Sequence, residues 1–336
     1  MDLLVLGGTA WLGREVAAVS VARGHAVTCL ARGQSGQFAE GCRSVIADRD
    51  NPDAYDAVVG QPWDAVVDVG RQPGHVRRAV TALQPMARRF LYVSSGNVYA
   101  SQRELGQDED APLLAPLTSD VMESMELYGE AKAACEQAVH NGFGPDRTLI
   151  ARVGLIGGPG DEFGRSSYWP WRFAHPSNHN QEVLVPDDPE VSTGMIDVRD
   201  LATWLVACAE AGTAGTYNAA GEPCPLADHL IVARTVAGHS GPLVAATPGW
   251  LSEHEVQMWM GPRSLPLWID DPDWYGLNAQ NTDRARAAGL TTRPLEETLA
   301  DTLAWEEGRP DQGPHGAGLT DDEEKELLGI LTAITR

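Results

Sequence analysis

The sequence predicts an α/β protein whose N-terminal half forms a doubly wound parallel sheet. Over the first 150 residues, short apolar stretches alternate with segments of helical periodicity. A glycine-rich turn separates the first apolar stretch from the first helical segment. Alternation of this kind is typical of a parallel sheet covered by helices on both faces, because each parallel crossover needs a long connection.

The individual elements follow from the spacing of the apolar residues. We predict strands at residues 3–6, 26–30, 44–46, 65–69, 90–93, 148–152 and 216–218. We predict helices at residues 11–23, 76–83, 123–139 and 197–210. Gly24 directly follows the first of these helices, at a position where glycine commonly ends a helix.

The composition changes after Gly154, where proline, glycine and tryptophan become frequent. Eight of the ten tryptophans lie at or beyond Trp169. We therefore predict a dinucleotide-binding domain of residues 1–153 and 197–220. A smaller, discontinuous α+β substrate lobe would comprise residues 154–196 and 221–336. Residues 319–335 are predicted to form a C-terminal helix whose first turn is capped by Thr320 with Glu323.

Composition and charge exclude several classes of function. A formal charge of −22 argues against nucleic-acid or anionic-membrane surfaces, which require a basic face. The apolar stretches are shorter than a membrane-spanning helix needs. The chain begins directly with a strand and a turn, so we expect no secretory signal and a cytoplasmic protein with reduced cysteines. The histidines lack metal-ligand spacing, and no metal is predicted.

The glycine-rich turn predicts a Rossmann dinucleotide site. A backbone without side chains can approach a pyrophosphate closely, and the following helix N-terminus attracts the anion. The alternative is a tight turn that binds no ligand. The candidate cofactor contacts in this turn are Gly7, Gly8, Thr9, Ala10, Trp11, Leu12 and Gly13.

The ends of the other strands bear on the choice of cofactor. Ala31 stands where NAD enzymes of this fold usually carry an acidic residue, whereas the adjacent Arg32 can pair with a 2′-phosphate. We therefore predict NADP(H), with NAD(H) as the alternative if Arg32 is an ordinary surface arginine. Asp48 is a candidate partner for the adenine amino group, or a solvated loop residue. The remaining candidate cofactor contacts are Arg49, Val69, Lys132 and Val153.

Three polar side chains indicate proton-transfer chemistry. Tyr128 and Lys132 are four residues apart, on one face of a predicted helix. A phenol is a poor base at neutral pH, but a nearby ammonium stabilises the phenolate. Ser94 and Ser95 follow the fifth predicted strand, and ligands of open α/β sheets bind beyond the carboxyl ends of the strands. The alternative is a packed tyrosine with a solvated lysine.

These motifs together resemble the extended short-chain dehydrogenase/reductase family, also described as NAD-dependent epimerase/dehydratases. The resemblance spans almost the whole chain. It implies that Tyr128 is the acid/base, that Lys132 is its partner and that Ser95 anchors the substrate carbonyl, three residues before Val98. The matching segments are residues 7–13, 94–99, 128–132, 158–160, 196–201 and 293–298, with Trp305.

The departures from the family pattern concern the substrate. Ala10 replaces the middle glycine of the turn, as in atypical, reductase-like branches. Gly96 and Asn97 stand where related sugar dehydratases carry an Asp-Glu pair, which argues against dehydration. Leu155 stands where sugar-nucleotide enzymes carry an asparagine, which argues against a UDP-sugar. The aromatic second lobe suggests a substrate pocket, although a small core is the alternative; the candidate contacts are Asn97, Tyr168, Trp169 and Arg172.

The preferred hypothesis is therefore NADPH-dependent reduction of a carbonyl on a small organic molecule. One alternative is an epimerase of a sugar or sugar nucleotide that retains NAD and uses it for oxidation followed by re-reduction. A second alternative is an NADP(H)-sensing protein without turnover, although such a protein needs no proton relay. The family resemblance also makes a homodimer an expectation, since helices flanking the catalytic tyrosine often dimerise.

Overall fold

The computed structural model describes residues 1–188, 191–313 and 316–334. Contacts divide the chain into two compact units. The first comprises Met1–Gly154, Val198–Ala220 and Gln280–Thr291, and the second comprises Leu155–Asp197, Gly221–Ala279 and Thr292–Arg336. No helix among the described residues is long and apolar enough to cross a membrane.

Seventeen strands occur in the described part of the chain, and those of the second unit are mostly two to four residues long. In chain order the strands are β1 Asp2–Leu6, β2 Ala26–Ala31, β3 Arg43–Ile46, β4 Ala65–Asp68, β5 Phe90–Ser95, β6 Thr148–Val153, β7 Leu155–Gly157, β8 Val183–Pro186, β9 Ser192–Thr193, β10 Met195–Asp197, β11 Gly215–Ala219, β12 Cys224–Pro225, β13 Leu243–Ala246, β14 Gln257–Trp259, β15 Gly261–Pro262, β16 Ser264–Pro266 and β17 Ala317–Gly318.

Ten α-helices accompany these strands in the described residues. In chain order the helices are α1 Trp11–Ala22, α2 Pro73–Leu83, α3 Tyr128–Phe143, α4 Tyr168–Ala174, α5 Val198–Ala211, α6 Leu226–Val236, α7 Pro248–Glu253, α8 Asp283–Ala287, α9 Leu295–Glu307 and α10 Asp321–Ile334. Short 3-10 turns occur at Gly96–Val98, Met125–Leu127, Pro145–Arg147 and Pro272–Trp274.

The first unit is built on one seven-stranded sheet, in the order β11-β6-β5-β4-β1-β2-β3. Every strand pair in it is parallel. The sequence order reverses between β4 and β1, which is the arrangement of a doubly wound fold. The predicted fold class is thus confirmed, and the carboxyl ends of β1, β2, β4, β5 and β6 lie along one edge of the sheet.

The structure corrects the predicted helix at residues 123–139, since α3 begins only at Tyr128. The residues just before it, Met125–Leu127, form a 3-10 turn, and the chain ahead of that turn is bound to α2 and its N-cap. Met122 donates its backbone N–H to the Gln72 side-chain oxygen at 2.7 Å, and the Arg77 guanidinium donates to the Leu117 carbonyl at 2.9 Å. These bonds give the backbone groups of Met122 and Leu117 partners outside a helix. Within the mispredicted segment, Leu127 N donates to the Ser124 carbonyl at 3.2 Å.

A second correction concerns Gln280–Thr291, which the sequence assigned to the second lobe. The Asn281 backbone N–H donates to the Gln107 carbonyl at 2.9 Å, and the Asn218 side-chain amide donates to the Asn281 carbonyl at 3.0 Å. These bonds tie the segment to the loop after β5 and to strand β11. The segment therefore belongs to the first unit.

The second unit has no large sheet among its described residues, and its strands form five two-stranded pairs. Its core is a cluster of buried aromatic and aliphatic side chains that includes Trp169, Phe173 and Trp268. The predicted cap of the C-terminal helix is present: Thr320 N donates to Glu323 Oε2 at 2.8 Å, and Glu323 N donates to Thr320 Oγ1 at 3.3 Å. Thr335, the last residue of that predicted helix, lies outside the described residues.

Candidate active site

The glycine-rich turn connects β1 to α1 with little space around its backbone. Gly7 has a φ of +92° and donates its N–H to the Leu30 carbonyl at 2.8 Å. A Cβ atom on Gly8 would lie 2.5 Å from the Cβ of Cys29, and one on Gly13 would lie 2.2 Å from the Gly7 carbonyl oxygen. Larger residues would push the turn away from the sheet, so this path of the backbone requires glycine.

The first turn of α1 can receive an anion. No side chain caps the helix at Ala10, and no acidic residue stands in the first turn. The unsatisfied N–H groups of a helix N-terminus carry a partial positive charge that attracts phosphate. Thr9 and Leu12 are buried, whereas Ala10 and Trp11 are partly exposed. This turn fits the pyrophosphate of a dinucleotide.

The structure brings Arg32 and Asp48 together near the ends of β2 and β3. Both residues line one open groove of about 450 Å³, which Asn51 also lines. Arg32 is exposed and Asp48 is partly exposed, so both are accessible to a ligand. An Asp48 carboxylate oxygen accepts the Asp50 backbone N–H at 3.1 Å, which leaves the second oxygen for a ligand donor.

Arg49 lies in a different environment from Arg32. Its guanidinium is buried and makes two hydrogen bonds to the Asp68 carboxylate, at 2.8 and 2.6 Å, and a third to the Tyr55 hydroxyl at 2.8 Å. Burial opposes the charge, but the Asp68 carboxylate raises the pKa of Arg49 above its usual value. Arg49 therefore holds the end of β4 in place, and its predicted contact with a cofactor stays a prediction.

Two apolar cofactor candidates lie at strand ends as expected from the sequence. Val69 is the first residue after β4, and its Cγ2 would be 2.6 Å from a Cβ on Gly7. Val69 thus packs directly against the glycine-rich turn. Val153 is the last residue of β6 and pairs in register with Ser95 of β5. Both valines lie at the edge where strand ends meet the turn.

Ser95 ends β5, and its hydroxyl engages the 3-10 turn that follows. Ser95 Oγ donates to Asn97 Oδ1 at 2.9 Å and accepts the Asn97 backbone N–H at 3.3 Å. Ser94 points elsewhere and donates to the buried Glu136 carboxylate. Of the two serines, only Ser95 has its hydroxyl at the open strand end, because the Ser94 hydroxyl is consumed in a buried hydrogen bond.

The first turn of α3 packs on the segment that follows Ser95. A Cβ on Gly129 would lie 2.3 Å from the Asn97 carbonyl oxygen, so glycine permits this contact. Tyr128, the residue before Gly129, is the first residue of α3 and is half-buried. The packing explains why Tyr128 and the Ser95–Asn97 turn lie beside each other.

Lys132 lies one helical turn after Tyr128, and the residue is 3% exposed. Nζ donates to the Gly70 carbonyl at 3.0 Å and to the Val93 carbonyl at 2.6 Å. It also lies 5.9 Å from the centre of the Tyr128 ring. The sequence did not identify Gly70 and Val93 as functional, because backbone acceptors leave no residue-type signal. These two carbonyls aim the ammonium towards the ends of β4 and β5.

A buried polar network supports α3 from behind. The Arg152 guanidinium pairs with the Glu136 carboxylate at 2.9 Å and donates to the Tyr99 hydroxyl at 3.2 Å. That hydroxyl donates to Asn218 Oδ1 at 2.6 Å. Burial raises the pKa of Tyr99, so it remains a neutral donor. Because the network joins α3 to β6 and β11, it fixes the helix that carries Tyr128 and Lys132.

Three of the predicted substrate contacts have a different role. Tyr168, Trp169 and Arg172 are fully buried in the second unit. Trp169 Nε1 donates to the Pro266 carbonyl at 2.7 Å, and Arg172 pairs with Asp321 at 2.7 Å and with Glu324 at 3.3 Å. These side chains therefore form core and structural ion pairs, and the prediction of a pocket lined by them is wrong. Asn97 remains beside Ser95.

Comparison with known proteins identifies a family whose model covers part of the chain. The model of the NAD dependent epimerase/dehydratase family matches residues 77–220, which include Ser95, Tyr128 and Lys132. No curated protein matches the sequence. The family resemblance derived from the sequence is confirmed by the family match, and the family is one of NAD-dependent enzymes.

Solved structures share the fold at low sequence identity. A candidate epimerase from Burkholderia cenocepacia J2315 aligns with a TM-score of 0.66 and 21% identity, over 90% of this chain and 97% of that one. UDP-N-acetylglucosamine 4-epimerase from Bacillus cereus aligns with a TM-score of 0.66 and 15% identity, over 93% of this chain and 99% of that one. UDP-glucose 4-epimerase from Bifidobacterium longum, in complex with NAD+ and UDP, aligns with a TM-score of 0.63 and 15% identity. The alignment covers 92% of this chain and 99% of that one.

Proposed function

We propose that the chain is an NAD-dependent epimerase that oxidises a secondary alcohol of its substrate and reduces the resulting ketone again. The observation that carries this proposal is the convergence of Ser95, Tyr128 and Lys132 at the strand ends that adjoin the glycine-rich turn. Solved structures with this fold include epimerases, and at least two of these hold NAD. This was the alternative hypothesis from the sequence, and the comparisons favour it over the simple reductase.

The residues fit a nicotinamide dinucleotide. The uncapped first turn of α1 would hold the pyrophosphate, and the groove at Arg32 and Asp48 would hold the adenosine end. The Lys132 ammonium has one N–H beyond its two carbonyl bonds, and this N–H would reach the ribose next to the nicotinamide. When bound, the nicotinamide supplies the hydride acceptor for the oxidation and the donor for the reduction.

The side chains of this site would carry the proton chemistry. Tyr128, as phenolate, would take the hydroxyl proton of the alcohol while the carbon loses its hydride. The Lys132 ammonium would stabilise the phenolate, since an adjacent positive charge favours the anion. The Ser95 hydroxyl would turn from Asn97 to the substrate oxygen and hold it throughout. Between the two steps the ketone would turn its opposite face towards the hydride donor. In the reduction, Tyr128 would then return the proton to the same oxygen, so the carbon is inverted while atoms and charge balance over the cycle.

We propose a sugar or a sugar nucleotide as the substrate class. Leu155, at the position of the family asparagine, is 4% exposed and packs in the core of the second unit. It therefore offers no polar contact to a diphosphate. If the substrate is a sugar nucleotide, other residues must hold its diphosphate.

The test begins with the purified protein and no added cofactor. Denaturation should release NAD+ in an amount close to one equivalent, because an epimerase that re-reduces its own intermediate benefits from retaining its cofactor. The protein should then interconvert UDP-glucose and UDP-galactose, or another epimeric pair of a hexose panel, without added reductant. Cofactor binding with no turnover of any panel member would instead support the sensing hypothesis.

A second candidate function is the NADPH-dependent reductase first derived from the sequence. Its specific support is Arg32, an exposed guanidinium after β2 at a strand end that lacks an acidic residue. Consumption of NADPH with a panel of ketones and aldehydes, followed at 340 nm, would favour this candidate. Release of tightly bound NAD+ on denaturation would count against it.

Replacement of Tyr128 by phenylalanine tests either form of the chemistry. Tyr128→Phe removes the proton carrier but keeps the ring, so turnover should fall by roughly 100-fold or more with cofactor binding nearly unchanged. Tyr217→Phe is the matched control, since that hydroxyl donates to the Ala214 carbonyl at 2.8 Å in the same unit. Steady-state turnover and cofactor titration measure both effects. Unchanged turnover in Tyr128→Phe would remove Tyr128 from the mechanism.

A further inference from the structure

We propose that the Gln280 side chain forms a polar subsite beside Ser95 that binds a substrate hydroxyl next to the reacting carbon. The inference rests on the proposed function, because it assigns the reacting oxygen to Ser95 and Tyr128. It adds a residue from a segment that the sequence alone placed in the other lobe. It also specifies the chemistry of the substrate, a vicinal diol.

The position of Gln280 follows from its contact with Gly96, the residue between Ser95 and Asn97. A Cβ on Gly96 would lie 1.9 Å from Gln280 Nε2 and 3.0 Å from Gln280 Oε1. The amide thus occupies the space that any side chain at position 96 would fill. Glycine at this position leaves room for a polar group supplied from a distant part of the chain.

The Gln280 amide has no hydrogen-bond partner in the described part of the chain. Gln280 is 3% exposed, and neither Nε2 nor Oε1 makes a hydrogen bond to the described residues. A buried amide without partners is unfavourable, so native proteins seldom keep one unless a ligand or water completes it. Gln102 provides the contrast: it is also buried beside Gly96, but its Nε2 donates to the Gly96 carbonyl at 2.9 Å.

The backbone next to Gln280 is fixed. Asn281 donates its N–H to the Gln107 carbonyl and accepts a hydrogen bond from the Asn218 side chain. Asn218 in turn accepts the Tyr99 hydroxyl, which belongs to the network behind α3. The same network therefore anchors the helix of Tyr128 and the segment of Gln280, so the two parts of the site are held by one set of contacts.

The amide selects the chemistry of its ligand. It presents one acceptor and a donor group side by side, and a hydroxyl can both donate to Oε1 and accept from Nε2. A carboxylate or phosphate has no hydrogen to donate to Oε1, so its oxygen atoms would be repelled by the lone pairs of Oε1. An ammonium has no acceptor, so Nε2 would remain without a hydrogen-bond partner. Because Gly96 is adjacent to Ser95 in the chain, a hydroxyl on the carbon next to the reacting carbon fits this subsite.

The experiment compares two alcohols that differ by this hydroxyl, trans-cyclohexane-1,2-diol and cyclohexanol. The NAD+-loaded, full-length protein is mixed with each alcohol, and reduction of the cofactor is followed at 340 nm. The variant Gln280→Met keeps the length of the side chain and removes the amide. We expect the wild type to prefer the diol, and Gln280→Met to lose about tenfold in kcat/KM for the diol with little change for cyclohexanol.

Thermal unfolding separates a ligand-binding amide from a structural one. Gln280→Met should have a Tm no lower than that of the wild type, because it removes an unpaired buried group. Gln102→Met, which loses its bond to Gly96, should have a lower Tm and keep the diol preference. This control is matched in residue type, burial and neighbour.

Each outcome decides between the two proposals. Equal oxidation of both alcohols by the wild type, or a diol preference retained in Gln280→Met, would overturn the subsite and leave the proposed function standing. A lower Tm of Gln280→Met with unchanged kinetics would show a structural amide and also overturn the subsite. Turnover of a hexose pair by the wild type with no cofactor reduction by either alcohol would overturn the subsite and leave the proposed function standing. Failure of the NAD+-loaded wild type both with the hexose panel and with the two alcohols would overturn the proposed function and the subsite with it.

Discussion

The two units of this chain build their cores on different frameworks. The first packs its helices on a seven-stranded parallel sheet, whereas the second packs helices and two-stranded pairs, and both cores include buried aromatic side chains. A large sheet positions polar residues at its strand ends, where ligands can reach them. The same residue types therefore mean different things in the two units.

Buried charge shows the same difference. In the first unit the Glu136–Arg152 pair lies next to Ser94, and its hydrogen bonds continue to Tyr99 and Asn218. In the second unit the fully buried Arg172 joins α4 to Asp321 and Glu324 of α10. The first pair stabilises the helix of the candidate site, and the second fastens the C-terminal helix. Charge and aromaticity alone do not distinguish a site from a core.

The largest expected effect tests whether the aromatic residues of the second unit are core. Trp169→Ala should lower the free energy of unfolding by about 3–5 kcal/mol, because it opens a cavity and frees the Pro266 carbonyl. Denaturant unfolding measures this change. Trp171→Ala, at a partly exposed position of the same helix, should cost less. If Trp169→Ala instead raises the KM for the substrate and leaves the stability unchanged, Trp169 lines a substrate pocket and is not a core residue. That result would contradict the comparison between the two units.

A second effect concerns His229, a buried histidine of α6 whose ring nitrogens have no partner in the described residues. Burial lowers its pKa to about 4 from the ordinary value of 6.5. Between these values the unfolded chain binds a proton that the folded chain refuses. The contribution of His229 to the free energy of unfolding is therefore fully present above pH 6.5. It decreases by about 3 kcal/mol as the pH drops towards 4.

The variant His229→Leu tests whether His229 causes this loss of stability at acid pH. It should remove that part of the acid sensitivity, because leucine has no proton to bind. Denaturant unfolding at several pH values between 7 and 4 compares the variant with the wild type. Identical slopes of stability against pH would show that His229 does not stay neutral in the folded second unit.

The smallest expected effect concerns the surface of the first unit. If Arg32 pairs with a 2′-phosphate, Arg32→Ser should lower the ratio of kcat/KM for NADPH over NADH by about tenfold. Arg88→Ser changes an arginine whose side chain is 82% exposed in the same unit and should keep the wild-type ratio. The assay is cofactor oxidation or reduction at 340 nm with each dinucleotide. An unchanged ratio in Arg32→Ser would make Arg32 an ordinary surface residue.

The sequence by itself determined the sheet of the first unit and the sites along its edge. Period-two and helical spacing are local signals, and strand ends in a parallel sheet must share one edge, so Ser95, Tyr128, Lys132 and the glycine-rich turn could be grouped before any coordinates. The start of α3 was misjudged because the residues before it, Met125–Leu127, form a 3-10 turn that apolar spacing does not distinguish from an α-helix. The ion pair of Arg49 with Asp68 could not be predicted, because nothing in the sequence indicated that partner.

Only the tertiary structure decided which polar and aromatic residues are buried and which residues they pack against. Trp169 and Arg172 belong to a core, and Gln280 comes to Gly96 across more than half of the chain. Contacts between such distant residues depend on how the backbone folds back on itself, which local spacing does not encode. The physical reason is that burial and pairing are properties of neighbours in space, whereas sequence patterns report neighbours along the chain.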